Sequence, residues 1–251
     1  MSAELSGNRP TSGETGSGAA AADRPFDAVI FDMDGVLVDT EPIWERVRAT
    51  FAHRHGRHWG PEDHPYVAGR NSREWAASMR DRLGIAAGED EIERAIVDGV
   101  VEILRRDGAP PIAGAADAVR RIAGRTRTAL ASSAHREVIA ATLAAVGLDG
   151  TFDAVVSSDD VERGKPHPDV FLEAARRVGV PPDRCLVVED SLNGVLAGRA
   201  AGMTVLLVPT ESFPPPPRAI ETTDWILDRL ERLDLPTPAR LAEIARPGGG
   251  R

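Results

Sequence analysis

The chain has 251 residues, 42% of them hydrophobic, with a formal net charge of -9 and a sequence pI near 5.2. That length accommodates one large α/β domain or a core with a smaller insert, and the acidic balance argues against a nucleic-acid or anionic-membrane partner. The single cysteine, Cys185, excludes an internal disulfide, no apolar stretch approaches the ~20 residues of a membrane span, and residues 1–24 lack the apolar segment of a secretory signal, so a cytoplasmic protein is expected, and a monomer because no extra interface element is evident.

Residues 1–24 are dominated by Gly, Ser, Thr and Ala without periodicity and are expected to be a disordered tail. Asp27-Ala28-Val29-Ile30-Phe31 then leads into Asp32-Met33-Asp34-Gly35. A short apolar run bounded by polar residues fits a parallel strand covered on both faces, and open α/β sheets bind ligands at the carboxyl ends of such strands. Asp32 and Asp34 are therefore candidate catalytic residues; taken alone, the pair also fits a turn or a calcium loop.

From Glu41 to Gly108 the apolar spacing becomes helical: Trp44, Val47 and Phe51 share one face, Trp75, Met79 and Leu83 another, and Ile92, Ile96, Val100 and Ile103 a third. This segment is expected to be a helical insert, its tryptophans core rather than a sugar-stacking platform, with only Trp59 outside the pattern. The polar loop Gly69-Arg70-Asn71-Ser72-Arg73 either reaches toward an anionic ligand or is a solvated helix start.

After Pro111 helices and short apolar strands alternate. Strands are expected at 126–131, 152–156, 186–188 and 205–208, with helices between them stopped at Gly147, Gly179 and Gly202. That alternation means βαβ units and a parallel sheet. Residues 25–40 and 109–235 are thus predicted to form a Rossmann-like parallel sheet core flanked by helices, with 41–108 an inserted helical cap. Trp225, Leu227 and Leu230 suggest a last helix, and 236–251, rich in Pro and Gly, is expected to be a flexible tail.

Of the 30 basic residues, 29 are arginine and one, Lys165, is lysine. An ammonium is a compact point charge where a guanidinium is a broad planar fork, so this exception suggests a site that only the smaller cation fits. Lys165 lies in Gly164-Lys165-Pro166-His167-Pro168, between a strand and a helix. Ser132 and Ser133 follow the second strand, and Glu189 and Asp190 follow the fourth. In a parallel sheet these groups converge with Asp32 on one edge.

Four segments, Asp32-Met33-Asp34-Gly35-Val36-Leu37-Val38-Asp39-Thr40, Ala129-Leu130-Ala131-Ser132-Ser133, Gly164-Lys165-Pro166-His167-Pro168-Asp169 and Val188-Glu189-Asp190-Ser191, resemble the ordered motifs of the haloacid dehalogenase superfamily. The position of the helical insert resembles its sugar-phosphatase and β-phosphoglucomutase branch. The resemblance implies a phosphatase of a small phosphorylated metabolite acting through an aspartyl phosphate, with Asp32 as nucleophile and Asp34 as acid and base. It implies Mg2+ at Asp32, Asp190 and the Asp34 carbonyl, with Glu189 orienting water, and phosphate held by Ser132, Ser133 and Lys165. Arg70, Asn71 and Arg73 are the cap residues expected to meet substrate, a sugar or polyol phosphate or phosphoglycolate. The mutase alternative is weakened because Trp44 stands where the mutase pattern has His and the cap has no lysine. A non-catalytic binding protein on the same fold is the remote alternative.

Overall fold

The computed structural model describes residues 26–67, 72–210, 214–234 and 237–250, with Ser72 and Arg73 as backbone alone. The first strand, β1 (Ala28–Phe31), is the fully buried apolar run and occupies the middle of the sheet. It is followed by α1 (Glu41–Arg54), a 3₁₀ segment (Pro61–Tyr66), α2 (Ser72–Leu83) and α3 (Glu89–Asp107). The chain then alternates through α4 (Ala115–Ala123), β2 (Arg127–Ser132), α5 (Arg136–Ala145), β3 (Ala154–Ser157), α6 (Asp169–Val178), β4 (Cys185–Glu189), α7 (Leu192–Ala200) and β5 (Thr204–Leu207). It ends with α8 (Pro217–Thr222), β6 (Trp225–Ile226), α9 (Pro238–Ile244) and β7 (Arg246–Pro247).

Among the described residues, seven strands stand in the order β3-β2-β1-β4-β5-β6-β7, parallel throughout except for the antiparallel pair β6 and β7. Period-two alternation divides the core. Val29, Phe31, Leu130, Leu186 and Val188 pack on the face that carries α4, α5 and the cap, whereas Ala28, Ile30, Ala129, Ala131 and Val187 pack against α6, α7 and α8. Covering both faces is what permits strands with no polar side, and it leaves the carboxyl edge as the place where charge can be presented.

The cap helices are cemented by Trp44 and Trp75, both buried, whose rings meet edge-on at 6.3 Å. Trp59 is buried as well. The two strands of linker that join cap to core run side by side: the Asp39 N–H donates to the Pro110 carbonyl and the Ile112 N–H to the Leu37 carbonyl, each at 2.9 Å.

Two expectations are corrected at the C-terminus. Trp225 and Ile226 form a short strand between β5 and β7 rather than a helix, and Leu230–Arg232 is a single 3₁₀ turn, since apolar residues spaced by two and three also satisfy a strand followed by a turn. Residues 237–250 are not a flexible tail. Thr237 caps α9 by accepting from the Arg240 N–H at 3.0 Å, Pro238 opens it, and Leu241 is fully buried. The glycines serve close approach: a Cβ on Gly248 would lie 2.2 Å from the Thr223 carbonyl oxygen and one on Gly250 2.1 Å from that of Thr222. The expected tail 1–24 lies outside the described residues.

If the C-terminal segment is part of the core, Leu241→Ala will destabilise the protein by about 2–4 kcal/mol, the usual cost of emptying a buried leucine site. Urea denaturation measures this. A midpoint equal to wild type would mean that α9 contributes nothing to the folded state.

Candidate active site

Parallel register brings the ends of β1, β2 and β4 level, with Phe31 opposite both Leu130 and Val188. The next residues of β1 and β4 are therefore neighbours: the Asp32 N–H donates to the Val188 carbonyl at 2.9 Å, and Glu189 ends β4 beside it. Lys165 reaches this edge from the loop before α6. Its Nζ donates to Asp32 Oδ1 at 2.6 Å and to Glu189 Oε1 at 2.7 Å, and it lies 4.8 Å from the centre of the Phe171 ring. The lysine side chain is only 6% exposed, so the ion pairs stand in a poorly solvated place where Coulomb attraction is strong.

Glu189 is pinned from the other side. Its Oε2 accepts from the Asp190 N–H at 2.8 Å, the Ser191 N–H at 2.7 Å and the Ser191 hydroxyl at 2.9 Å. With both oxygens engaged, the carboxylate is suited to orienting a neighbour rather than binding a cation directly. Gly194 makes the room, because a Cβ there would fall 1.7 Å from Glu189 Oε1. Gly35 does the same for Asp190, with φ +80 and a hypothetical Cβ 1.9 Å from Asp190 Oδ2. Both glycines are required by close approach to a carboxylate.

Asp34 follows on a tight turn in which the Leu37 N–H donates to the Met33 carbonyl at 2.8 Å, and the Thr40 hydroxyl donates to Asp34 Oδ1. Burial pushes the Asp32 carboxyl up to about 7 against the pull of Lys165, and pushes Asp34 up to about 6 against the Thr40 hydrogen bond. Asp190 is raised well above the usual carboxylate range by burial and by the charges of Glu189 and Asp32. Burial disfavours the Lys165 charge, but Asp32 and Glu189 more than offset it and hold the ammonium protonated.

These groups surround one cavity of about 260 Å³, lined among others by Asp32, Asp34, Ser133, Lys165 and Asp190. Ser132 is fully buried, and its Oγ accepts from the Ala134 N–H at 3.0 Å, so its hydroxyl shapes the turn and Ser133 forms the wall. Arg70 and Asn71 lie outside the described residues, and Arg73 is described as backbone in α2. His167 is exposed, and His135 lies with Nδ1 3.1 Å from Asp159, at the side of the core. Cys185 is a buried core thiol pushed up to about 12 by burial. The cap adds two wall residues that no sequence signal had singled out, Glu41 and His64. Glu41 directly follows the acidic turn and could have been suspected; nothing in the local pattern marks His64.

The carboxylate oxygens of Asp32, Glu189 and Asp190 come within 4.8 Å of one another. With Glu189 engaged by Lys165 and the backbone amides, the buried carboxylates of Asp32 and Asp190 are an all-oxygen pair that fits a hard dication such as Mg2+.

A model of the haloacid dehalogenase-like hydrolases matches residues 26–202. The chain is 30% identical over 215 residues to a bifunctional riboflavin kinase/FMN phosphatase of Arabidopsis thaliana, covering 83% of this chain and 56% of that one, so it spans little more than half of that relative. It is 31% identical over 182 residues to a phosphorylated carbohydrates phosphatase of Thermotoga maritima, covering 71% of this chain and 82% of that one. Among solved structures, CbbY from Rhodobacter sphaeroides in complex with phosphate superimposes with a TM-score of 0.77 at 26% identity, over 86% of this chain and 99% of that chain.

The raised carboxyl pKa values carry a stability cost with a definite sign. An acid whose folded pKa exceeds its unfolded one costs nothing well below the unfolded value, and the cost grows as pH rises through the interval up to the folded value. For Asp32 and Asp34 that interval runs from 3.8 to about 7 and about 6. A dication that binds the charged forms relieves the cost, so millimolar Mg2+ should raise the melting temperature more at about pH 8 than at about pH 5.5. Equal shifts at both pH values would refute the assignment of the Asp32 carboxylate to a metal.

Proposed function

The chain belongs to the haloacid dehalogenase-like hydrolases, and we propose that within them it is a Mg2+-dependent phosphatase of a small sugar or polyol phosphate. The observation that carries this reading is the pair of ion bonds from Lys165 to Asp32 and Glu189, set beside Asp34 in one cavity. The relative named for phosphorylated carbohydrates supports the substrate class.

In this mechanism Asp32 Oδ attacks phosphorus, and the bond from phosphorus to the substrate oxygen breaks as the new bond to Asp32 forms. Asp34 gives its proton to the departing oxygen, then takes one from the water that attacks the aspartyl phosphate, which returns Asp32 as a carboxylate. A pKa of about 6 leaves Asp34 competent in both directions near neutrality. The Thr40 hydroxyl holds the Asp34 carboxyl in a fixed orientation. Lys165 opposes the burial that favours protonation of Asp32, holds that carboxylate in place, and neutralises a phosphoryl oxygen. Asp32, Asp190 and the backbone carbonyl of Asp34 would hold Mg2+, which supplies neutralisation of the phosphate charge. Hydrolysis rather than mutase chemistry is favoured by Trp44, which is buried against Trp75 and presents no imidazole at that position.

Wild type is expected to release phosphate from a hexitol phosphate and from p-nitrophenyl phosphate only with Mg2+. Asp34→Asn should lose ~10² to 10⁴-fold on the hexitol phosphate and much less on the aryl ester, whose leaving group needs no proton. Equal losses on both would remove Asp34 from the acid role, and accumulation of an isomerised phosphate faster than phosphate release would replace hydrolysis with transfer.

Lys165→Arg should cost ~10² to 10³-fold in turnover although charge is kept, because the ammonium is enclosed between Asp32 and Glu189 with only 6% exposure and the broader planar guanidinium must displace one of those partners. Retention of more than about a tenth of wild-type turnover would show that the ammonium's size is immaterial.

A further inference from the structure

The reaction described above uses the core wall of the cavity and leaves the cap wall without a task. That wall is made by Glu41, the first residue of α1, and His64 in the 3₁₀ segment. His64 Nδ1 lies 3.2 Å from Glu41 Oε1 and 3.4 Å from Glu45 Oε1, and Arg48 Nη1 donates to the same two oxygens at 2.9 and 3.1 Å. The Arg48 side chain is 7% exposed, so this is a partly desolvated cluster with little freedom. Burial works against the Glu41 charge, yet the hydrogen bond from His64 and the charge of Arg48 hold its carboxyl below the usual range. The hydrogen bond from Glu41 holds the His64 imidazole above its ordinary value. Glu41, Glu45 and His64 lie close enough to share a cation, but the Arg48 guanidinium already stands between the two carboxylates, which leaves no vacancy for a metal.

The cluster fastens Glu41 through Oε1 and leaves Oε2 outside these bonds. Glu41 is one residue from Thr40, the group that donates to Asp34, and its charge is among those that raise the Asp34 pKa. It therefore lines the cavity beside the Thr40–Asp34 pair, on the side from which the proposed acid would meet the leaving oxygen. An ionised carboxylate accepts hydrogen bonds and donates none, so it is satisfied by a hydroxyl and repelled by another anion. A cavity of about 260 Å³ suits a small metabolite.

We propose that Glu41, positioned by His64 and Arg48, determines specificity by accepting a hydrogen bond from a hydroxyl of the substrate, which selects monophosphates of neutral polyhydroxy compounds over phosphates carrying a carboxylate beside the ester. This rests on the phosphatase reading and names its substrate class. The cluster fixes the carboxylate before substrate arrives, so that little ordering is required on binding.

The test compares wild type, Glu41→Gln, His64→Gln and Glu45→Gln on sorbitol 6-phosphate, p-nitrophenyl phosphate and 2-phosphoglycolate with Mg2+, with thermal melts to verify folding. Glu41→Gln should lower kcat/KM for sorbitol 6-phosphate roughly tenfold more than for p-nitrophenyl phosphate, mainly through KM, and should move the ratio of 2-phosphoglycolate to sorbitol 6-phosphate upward. His64→Gln should shift the same ratios in the same direction by less. Equal proportional losses on all three compounds would overturn the proposal. So would a shift from Glu45→Gln, which disturbs the ion cluster from outside the cavity wall, as large as that from Glu41→Gln. A wild type that prefers 2-phosphoglycolate would overturn it together with the sugar or polyol substrate class while leaving Mg2+-dependent phosphatase activity intact, and a wild type inactive on every ester would remove both.

Discussion

Everything at the carboxyl edge depends on keeping several charges buried together. Moving an ion from water into a protein interior costs several kcal/mol even after relaxation, and only close pairing with well-aimed donors offsets that cost. Lys165 supplies the pairing by sitting 2.6 Å from Asp32 and 2.7 Å from Glu189, and the backbone amides of Asp190 and Ser191 supply the remaining donors. Space is the second half of the constraint. Gly35 and Gly194 leave open the volume that the Asp190 and Glu189 carboxylates occupy, so a methyl group at either would displace a charge that has nowhere else to be satisfied. The same shortage of room accounts for a lysine in a chain whose other 29 basic residues are arginine.

A parallel sheet is the scaffold that can carry such a cluster. Strands apolar on both faces are held by α4 and α5 on one side and α6, α7 and α8 on the other, so β1 and β4 have no freedom to slip in register. Asp32 and Glu189 inherit that rigidity because each stands at or one residue beyond a strand end. The C-terminal residues extend the support outward. Arg199 of α7 donates to the Gly250 carbonyl at 3.0 Å, which ties the last residues to the helix that begins at Ser191, just beyond Asp190.

Most of the core wall was legible in the sequence for a physical reason: Asp32, Ser132 and Glu189 each directly follow an apolar run, and strand ends in one parallel sheet must share an edge. Lys165 announced itself by composition. What could not be read was anything set by packing between separate segments. His64 reaches the cavity only because the 3₁₀ segment folds back onto α1, and no periodicity records that. Ser132 and Ser133 were equivalent on paper, yet the buried strand end turns the first inward to the Ala134 N–H and leaves the second on the wall. The C-terminus was misjudged because Pro and Gly mark both unstructured chain and tight contact. Here Pro opens α9 and the glycines lie against the Thr222 and Thr223 carbonyls.

The two walls of the cavity are joined by very little chain. Thr40 donates to Asp34 and is followed at once by Glu41 at the start of α1, so the residue assigned to proton delivery and the residue assigned to substrate choice are separated by a single pinned hydrogen bond. The linker pairing of Asp39 with Pro110 and of Leu37 with Ile112 anchors both ends of the cap at the same level. A displacement of the cap relative to the sheet must therefore pass through Val38 and Thr40 and act on the Asp34 carboxyl. On the proposed roles, this geometry would couple recognition to chemistry: a substrate that seated badly against Glu41 would also disturb the orientation of Asp34, and positioning errors of a fraction of an ångström are costly at a reacting centre. Discrimination would then appear in turnover as well as in binding, with no second site required.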